Sequence, residues 1–254
     1  MEHICELDID KPEFVSWDFR LHGESALLKS NVKLKDWWTL SHDVFAGVGF
    51  SLNGETVDLS PPSIGQKRVG IGHSMGATAL AMAEYMKPGT FSHLILIEPV
   101  MFPPPYYNDL LTDLAEWALL RRESFSSKKA AKDHMSKVEP FKSWHPLALC
   151  AYIDGGLVQR EDGDWHLKCS KQNESSIHRL ASHTMYDKIS SILCPSLVLT
   201  GSESKFLNLT EWKAISERMS KGSSAVVPKA SHYVPLEEPL AVARHVVDFY
   251  KSKK

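Results

Sequence analysis

The residues best suited to chemistry lie in Val69-Gly70-Ile71-Gly72-His73-Ser74-Met75-Gly76-Ala77. A serine hydroxyl becomes a nucleophile when a neighbouring base takes its proton and the backbone presents it clear of its surroundings. A sharp strand-to-helix turn achieves this, but it crowds the positions two before and two after, which must then be very small. Gly72 and Gly76 meet that demand. An apolar run precedes the motif and a helical pattern follows it, a context that a chance Gly-x-Ser-x-Gly lacks. The start of that helix offers backbone N–H groups to a developing oxyanion, that of Met75 first. His73, beside Ser74, reads as a packing residue of the turn.

The base expected for such a serine is a histidine late in the chain, in a loop after the last strand. Of twelve histidines, His232 alone combines a strand-end position, C-terminal order and a following helix opened by Pro239. The acid is less plainly marked. Chain order serine, acid, histidine points to the loop after the strand at 196–200, Gly201-Ser202-Glu203-Ser204-Lys205. No Asp stands there; Ser204 occupies the place where one is expected, and Glu203 is the nearest carboxylate. The other candidate is Glu98, which closes the apolar run Leu94-Ile95-Leu96-Ile97. A carboxylate in that position is costly to bury without a partner, and orienting His232 would account for it. Glu98 is favoured and Glu203 is the alternative.

Elements able to position these residues recur along the chain. Short β-branched runs alternate with helical patterns, the mark of an α/β fold with a mostly parallel sheet covered by helices. Strands are predicted at Glu13–Phe19, Arg68–Gly72, His93–Glu98, Ser196–Thr200 and Ser224–Val227. Helices are predicted at Asp36–Val48, Gly76–Met86 and from Pro239 onward, the last with a buried stripe of Leu240, Ala243, Val247 and Tyr250. After Pro103-Pro104-Pro105 the pattern changes until Ile192, a stretch too long for a simple crossover. It contains helical segments at Asn108–Arg122 and Lys128–Val138. The expected organisation is core at 1–100, a mostly helical cap at 101–192 inserted between two core strands, and core again at 193–254.

The bulk numbers remove several classes of function. At 254 residues a chain can bury roughly three quarters of its unfolded surface. Its 43% hydrophobic and 24% charged residues are those of a globular protein. With 29 Lys and Arg against 31 Asp and Glu, nothing favours a phosphate backbone, so nucleic acid is not an expected partner. No apolar run is long enough for a membrane span, and the N-terminus lacks a signal-peptide layout. Cys5, Cys150, Cys169 and Cys194 are scattered, without metal or disulfide spacing, and read as reduced thiols of an intracellular protein. No metal or other cofactor is expected, since no phosphate-cradling loop or metal-ligand spacing is present. Ser252-Lys253-Lys254 is an imperfect match to the peroxisomal Ser-Lys-Leu address, so cytoplasm and peroxisome both stand.

From Phe14 to Tyr250 these residues resemble the α/β-hydrolase superfamily. Trp17-Asp18-Phe19-Arg20-Leu21-His22-Gly23-Glu24-Ser25 is similar to that family's Asp-x-Arg-Gly-x-Gly-x-Ser segment, with Leu21 replacing a Gly. The resemblance maps the nucleophile onto Ser74 and the base onto His232. It maps Glu98 onto the acid position of the haloalkane dehalogenase branch. That branch and the soluble epoxide hydrolases use an Asp nucleophile, so Ser74 argues for acyl transfer instead. Ile97-Glu98-Pro99-Val100 and Leu167-Lys168-Cys169 look most like peroxisomal lipase-like and fungal toxin-cluster abhydrolases, which implies maturation of a fatty-acyl or polyketide-like metabolite. The family also carries an earlier strand ending in a His-Gly-type loop that completes the oxyanion hole. This chain starts too late to include it, and His22-Gly23 lies too close to Ser74 to replace it. Losing one such donor costs about 10²–10³ in rate.

The expected function is therefore a serine hydrolase acting on an ester or thioester of a small acyl substrate. The cap aromatics Trp117, Phe125, Phe141, Trp144 and Tyr152 are candidates to line an acyl pocket or to form the cap's own core. The alternatives are a weakly active or non-hydrolytic member of the fold that binds a metabolite, and a lyase or cyclase working through His232.

Overall fold

A computed structural model of the chain describes residues 13–28, 34–49, 67–103, 106–181 and 184–253. Cys5, the N-terminal segment and Lys254 lie outside them. In chain order the regular elements are α1 (Trp38–Gly49), β1 (Val69–His73), α2 (Met75–Met86), β2 (His93–Ile97), α3 (Tyr106–Leu120), β3 (Ser124–Phe125), α4 (Lys128–Met135), α5 (Pro146–Gly156), β4 (Leu157–Gln159), β5 (Trp165–Leu167), α6 (Lys171–Arg179), α7 (Thr184–Lys188), β6 (Ser196–Gly201), α8 (Leu209–Glu217), β7 (Gly222–Val227), α9 (Val234–Glu237) and α10 (Pro239–Ser252). They fall into two compact units. One comprises Met1–Trp17, Ser41–Pro103 and Ser182–Lys254; the other comprises Asp18–Leu40 and Pro104–Ala181.

The first unit is built on a parallel sheet of order β1-β2-β6-β7. All five β2 residues and all six β6 residues are buried. A parallel sheet covered on both faces leaves no polar side for these central strands, hence their unbroken apolar runs. Ile95, Ile97, Leu197 and Leu199 share a cluster with Val227, Val234, Val242, Val246 and Phe249. The stripe that α10 buries is thus Val242, Ala243, Val246, Val247 and Phe249. Leu240, expected within it, is exposed.

The second unit contains, besides its helices, a three-stranded antiparallel sheet of order β3-β5-β4 that the helical reading did not anticipate. Its strands are two or three residues long, too short to give a period-2 signal. Helices α3 and α6 pack on each other, and Arg121 ties them through an ion pair to Glu174 and a bond to the Cys169 carbonyl. The rings of Phe141, Trp144 and Tyr152 meet one another at centroid distances of 4.8, 5.5 and 5.3 Å. With Phe125 and Trp144 buried, these residues are core of this unit, whereas Trp117 is 62% exposed.

No strand forms over 13–19. A strand needs a ladder partner, and among the described residues none pairs with this segment. Val15 is exposed, and Asp18 serves a turn instead. Its carboxylate accepts from the Glu24 N–H at 2.8 Å and its carbonyl from the Ser25 hydroxyl at 2.9 Å. Within that turn Leu21, the residue that stands in place of a Gly, has φ 66°.

Candidate active site

Parallel pairing sets the position of Ser74. It follows β1 directly, and its N–H extends the ladder by one bond to the Ile97 carbonyl at 2.9 Å. Its backbone then turns to φ 53°, ψ −121° before α2 begins, a strained conformation of the kind that costs about 1–3 kcal/mol. The turn is tight enough that a Cβ on Gly72 would lie 2.7 Å from the Ala77 nitrogen. The first-turn N–H groups of a helix have no intrahelical acceptor, and that of Met75 opens α2 beside Ser74.

Glu98 repeats the arrangement one strand over. It follows β2, its N–H bonds the Leu199 carbonyl of β6 at 2.9 Å, and its φ is 47°. The side chain is fully buried. Oε1 accepts from the Thr200 hydroxyl and from the Gly201 N–H at 2.9 Å. Oε2 accepts from the Ser204 hydroxyl at 2.7 Å. These donors offset the cost of taking a carboxylate out of water.

His232 lies in the loop after β7, which is fixed to its surroundings at several points. Ser231 donates through its N–H and hydroxyl to Glu237 at 2.6 and 2.8 Å. The Ala230 carbonyl accepts from the Glu203 N–H at 2.9 Å. Gly201 runs so close beneath that a Cβ there would meet the Ala230 oxygen at 2.2 Å. The His232 ring thereby stands between the other two groups: Nδ1 is 3.2 Å from Glu98 Oε2 and Nε2 is 3.0 Å from Ser74 Oγ. An Nδ1–H donating to the carboxylate leaves Nε2 as acceptor for the serine proton, a chain suited to proton transfer. Glu203, by contrast, has an exposed side chain.

Among the described residues, two rings have their centroids within 5 Å of that of this imidazole. Phe206 lies 4.0 Å away centroid to centroid, backed by Phe102 and Trp212. His73 lies at 4.8 Å, and its Nε2–H donates to the His232 carbonyl at 2.8 Å. Burial, and next the nearby His232 charge, push the His73 pKa from 6.5 down to about 3. It is a neutral clasp on the loop, more than the packing residue that its place beside Ser74 suggested. Thr200 and Phe206 carry no signal of a role here in the sequence, because each meets its partner, Glu98 and His232 respectively, only when distant parts of the chain are brought together. Among the described residues no group of three or more His, Cys, Asp or Glu is placed to hold a metal ion. No described helix is long and apolar enough to cross a membrane.

Among characterised proteins the chain is similar to abhydrolase domain-containing protein AKT2 of Alternaria alternata, with 25% identity over 225 residues, 74% of this chain and 85% of that protein. Protein ACTT2 of the same organism is 26% identical over 220 residues, 72% of this chain and 83% of that one. In structure it is similar to the peroxisomal alpha-beta-hydrolase Lpx1 of Saccharomyces cerevisiae (TM-score 0.72, 20% identity, 92% of this chain and 67% of that one). The Mycobacterium tuberculosis esterase Rv0045c shares the fold at TM-score 0.66 and 18% identity, over 92% of this chain and 75% of that one. The sequence profile of the alpha/beta hydrolase family matches residues 8–245. With that match spanning the parallel sheet and the turn that bears Ser74, the chain belongs to the alpha/beta hydrolase family.

Proposed function

We propose that this protein is a serine hydrolase that cleaves an ester or thioester of an acyl or polyketide-like metabolite through an acyl-enzyme on Ser74. The observation that carries the reading is the continuous hydrogen-bonded line from Ser74 Oγ to His232 to Glu98, at 3.0 and 3.2 Å. His232 Nε2 takes the hydroxyl proton as Oγ attacks the carbonyl carbon. The Met75 N–H stabilises the oxyanion of the tetrahedral intermediate. Collapse breaks the bond to the alcohol or thiol, which leaves with the proton from His232. A water then gives its proton to His232 and its oxygen to the acyl carbon, releasing the acid and restoring Ser74. Glu98 keeps the imidazole in the required tautomer throughout.

The test is intact-mass analysis after treatment with a fluorophosphonate, comparing the wild-type chain with Ser74→Ala. One adduct on the wild type and none on the variant is the expected result. An adduct that persists in Ser74→Ala, or folded wild type that takes none, overturns the reading. In the second case a metabolite-binding role for the same fold becomes the better account.

A further inference from the structure

We propose that Ser204 is a positioning residue of this relay. The proposal rests on the serine-hydrolase reading above. The two oxygens of Glu98 are held differently. Oε1 is locked to β6 by the Thr200 hydroxyl and the Gly201 N–H. A carboxylate pinned at one oxygen still swings at the other. On Oε2 the restraints are the Ser204 hydroxyl at 2.7 Å and His232 Nδ1 at 3.2 Å. The first lies within the range of a charge-assisted bond from a hydroxyl to a carboxylate. The second is at the long limit for an N–H donor. Ser204 is therefore the tighter tether, and it decides where Oε2 stands when His232 has to be turned toward Ser74.

The experiment uses the full chain with Ser204→Ala and Ser204→Thr, each checked for folding by circular dichroism. Two quantities are read: the second-order rate of fluorophosphonate labelling at Ser74, and the deshielded proton resonance of His232 Nδ1. Loss of a hydrogen bond to a charged group is expected to slow labelling in Ser204→Ala about tenfold or more and to move the Nδ1 resonance. Ser204→Thr, which keeps the hydroxyl, restores both. Wild-type rate and an unmoved resonance in folded Ser204→Ala overturn the tether. If wild type itself takes no label, the hydrolase reading fails, while the resonance still decides whether Ser204 positions the Glu98–His232 pair.

Discussion

Ser74 and Glu98 share a backbone habit: each ends a strand by passing into positive φ, at 53° and 47°, so that its side chain leaves the sheet at its end. Glu203 has no comparable anchoring, and its side chain faces solvent. Glu98→Gln is accordingly expected to lower kcat by about 10⁴, whereas Glu203→Gln leaves it within a factor of two or so; the reverse pattern in steady-state kinetics would falsify the assignment of the acid. His73 makes a separate prediction about stability. Its folded pKa of about 3 lies below the unfolded value of 6.5. Below pH 6.5 the unfolded chain binds a proton that the folded one refuses, so stability is complete above 6.5 and is lost as pH falls toward 3. Burial lowers His22 and His93 in the same direction, so His73 supplies only part of the wild-type slope. The urea midpoint of His73→Gln is expected to fall less steeply over that window than the wild-type midpoint, and equal slopes would remove His73 from the account.

At the level of elements, the close approaches around two glycines control the site. A methyl on Gly72 would lie 2.7–2.8 Å from the Ala77 nitrogen and α-carbon, both backbone atoms that cannot step aside. Gly72→Ala is expected to cost about 3 kcal/mol in urea unfolding, the upper end of overpacking, and to abolish labelling of Ser74. Gly201→Ala presses on the Ala230 and Ser231 carbonyls at 2.2 and 2.4 Å and so on the loop that carries His232. Its expected signature is a fall in kcat greater than the change in KM. Strands β2 and β6 were legible in the sequence because buried parallel strands leave continuous apolar runs, as in Leu94-Ile95-Leu96-Ile97, and the turn that bears Ser74 was legible from the glycines on either side of it. The β4–β5 hairpin was missed although Asp162-Gly163 marks its turn, with Gly163 at φ 87°. Gln159 and Trp165 pair across it, but strands this short are drowned by the helices around them. Over 13–19 the opposite holds: the stretch has strand-like residues, but among the described residues no strand pairs with it. Ser204 was legible as a position and illegible as a donor, since its role depends on a carboxylate more than a hundred residues earlier.

Across the whole molecule the groups of the relay are far apart in sequence. Ser74 and His232 are separated by 158 residues, Glu98 and His232 by 134. The β2–β6 ladder that supports Glu98 closes over the entire stretch between those strands, and non-local closures of this kind are slow to form. After dilution from urea, the fluorescence of the seven tryptophans is expected to recover before the capacity of Ser74 to be labelled. Simultaneous recovery of the two signals counts against late assembly of the relay. The same separation matters during synthesis. At about 5–20 residues per second, the ribosome needs roughly 8–30 s to pass from Ser74 to His232, and through that interval the nascent chain carries its serine without a base. Under the proposed mechanism, the order of the residues leaves the Ser74 hydroxyl without its base until His232 has been made.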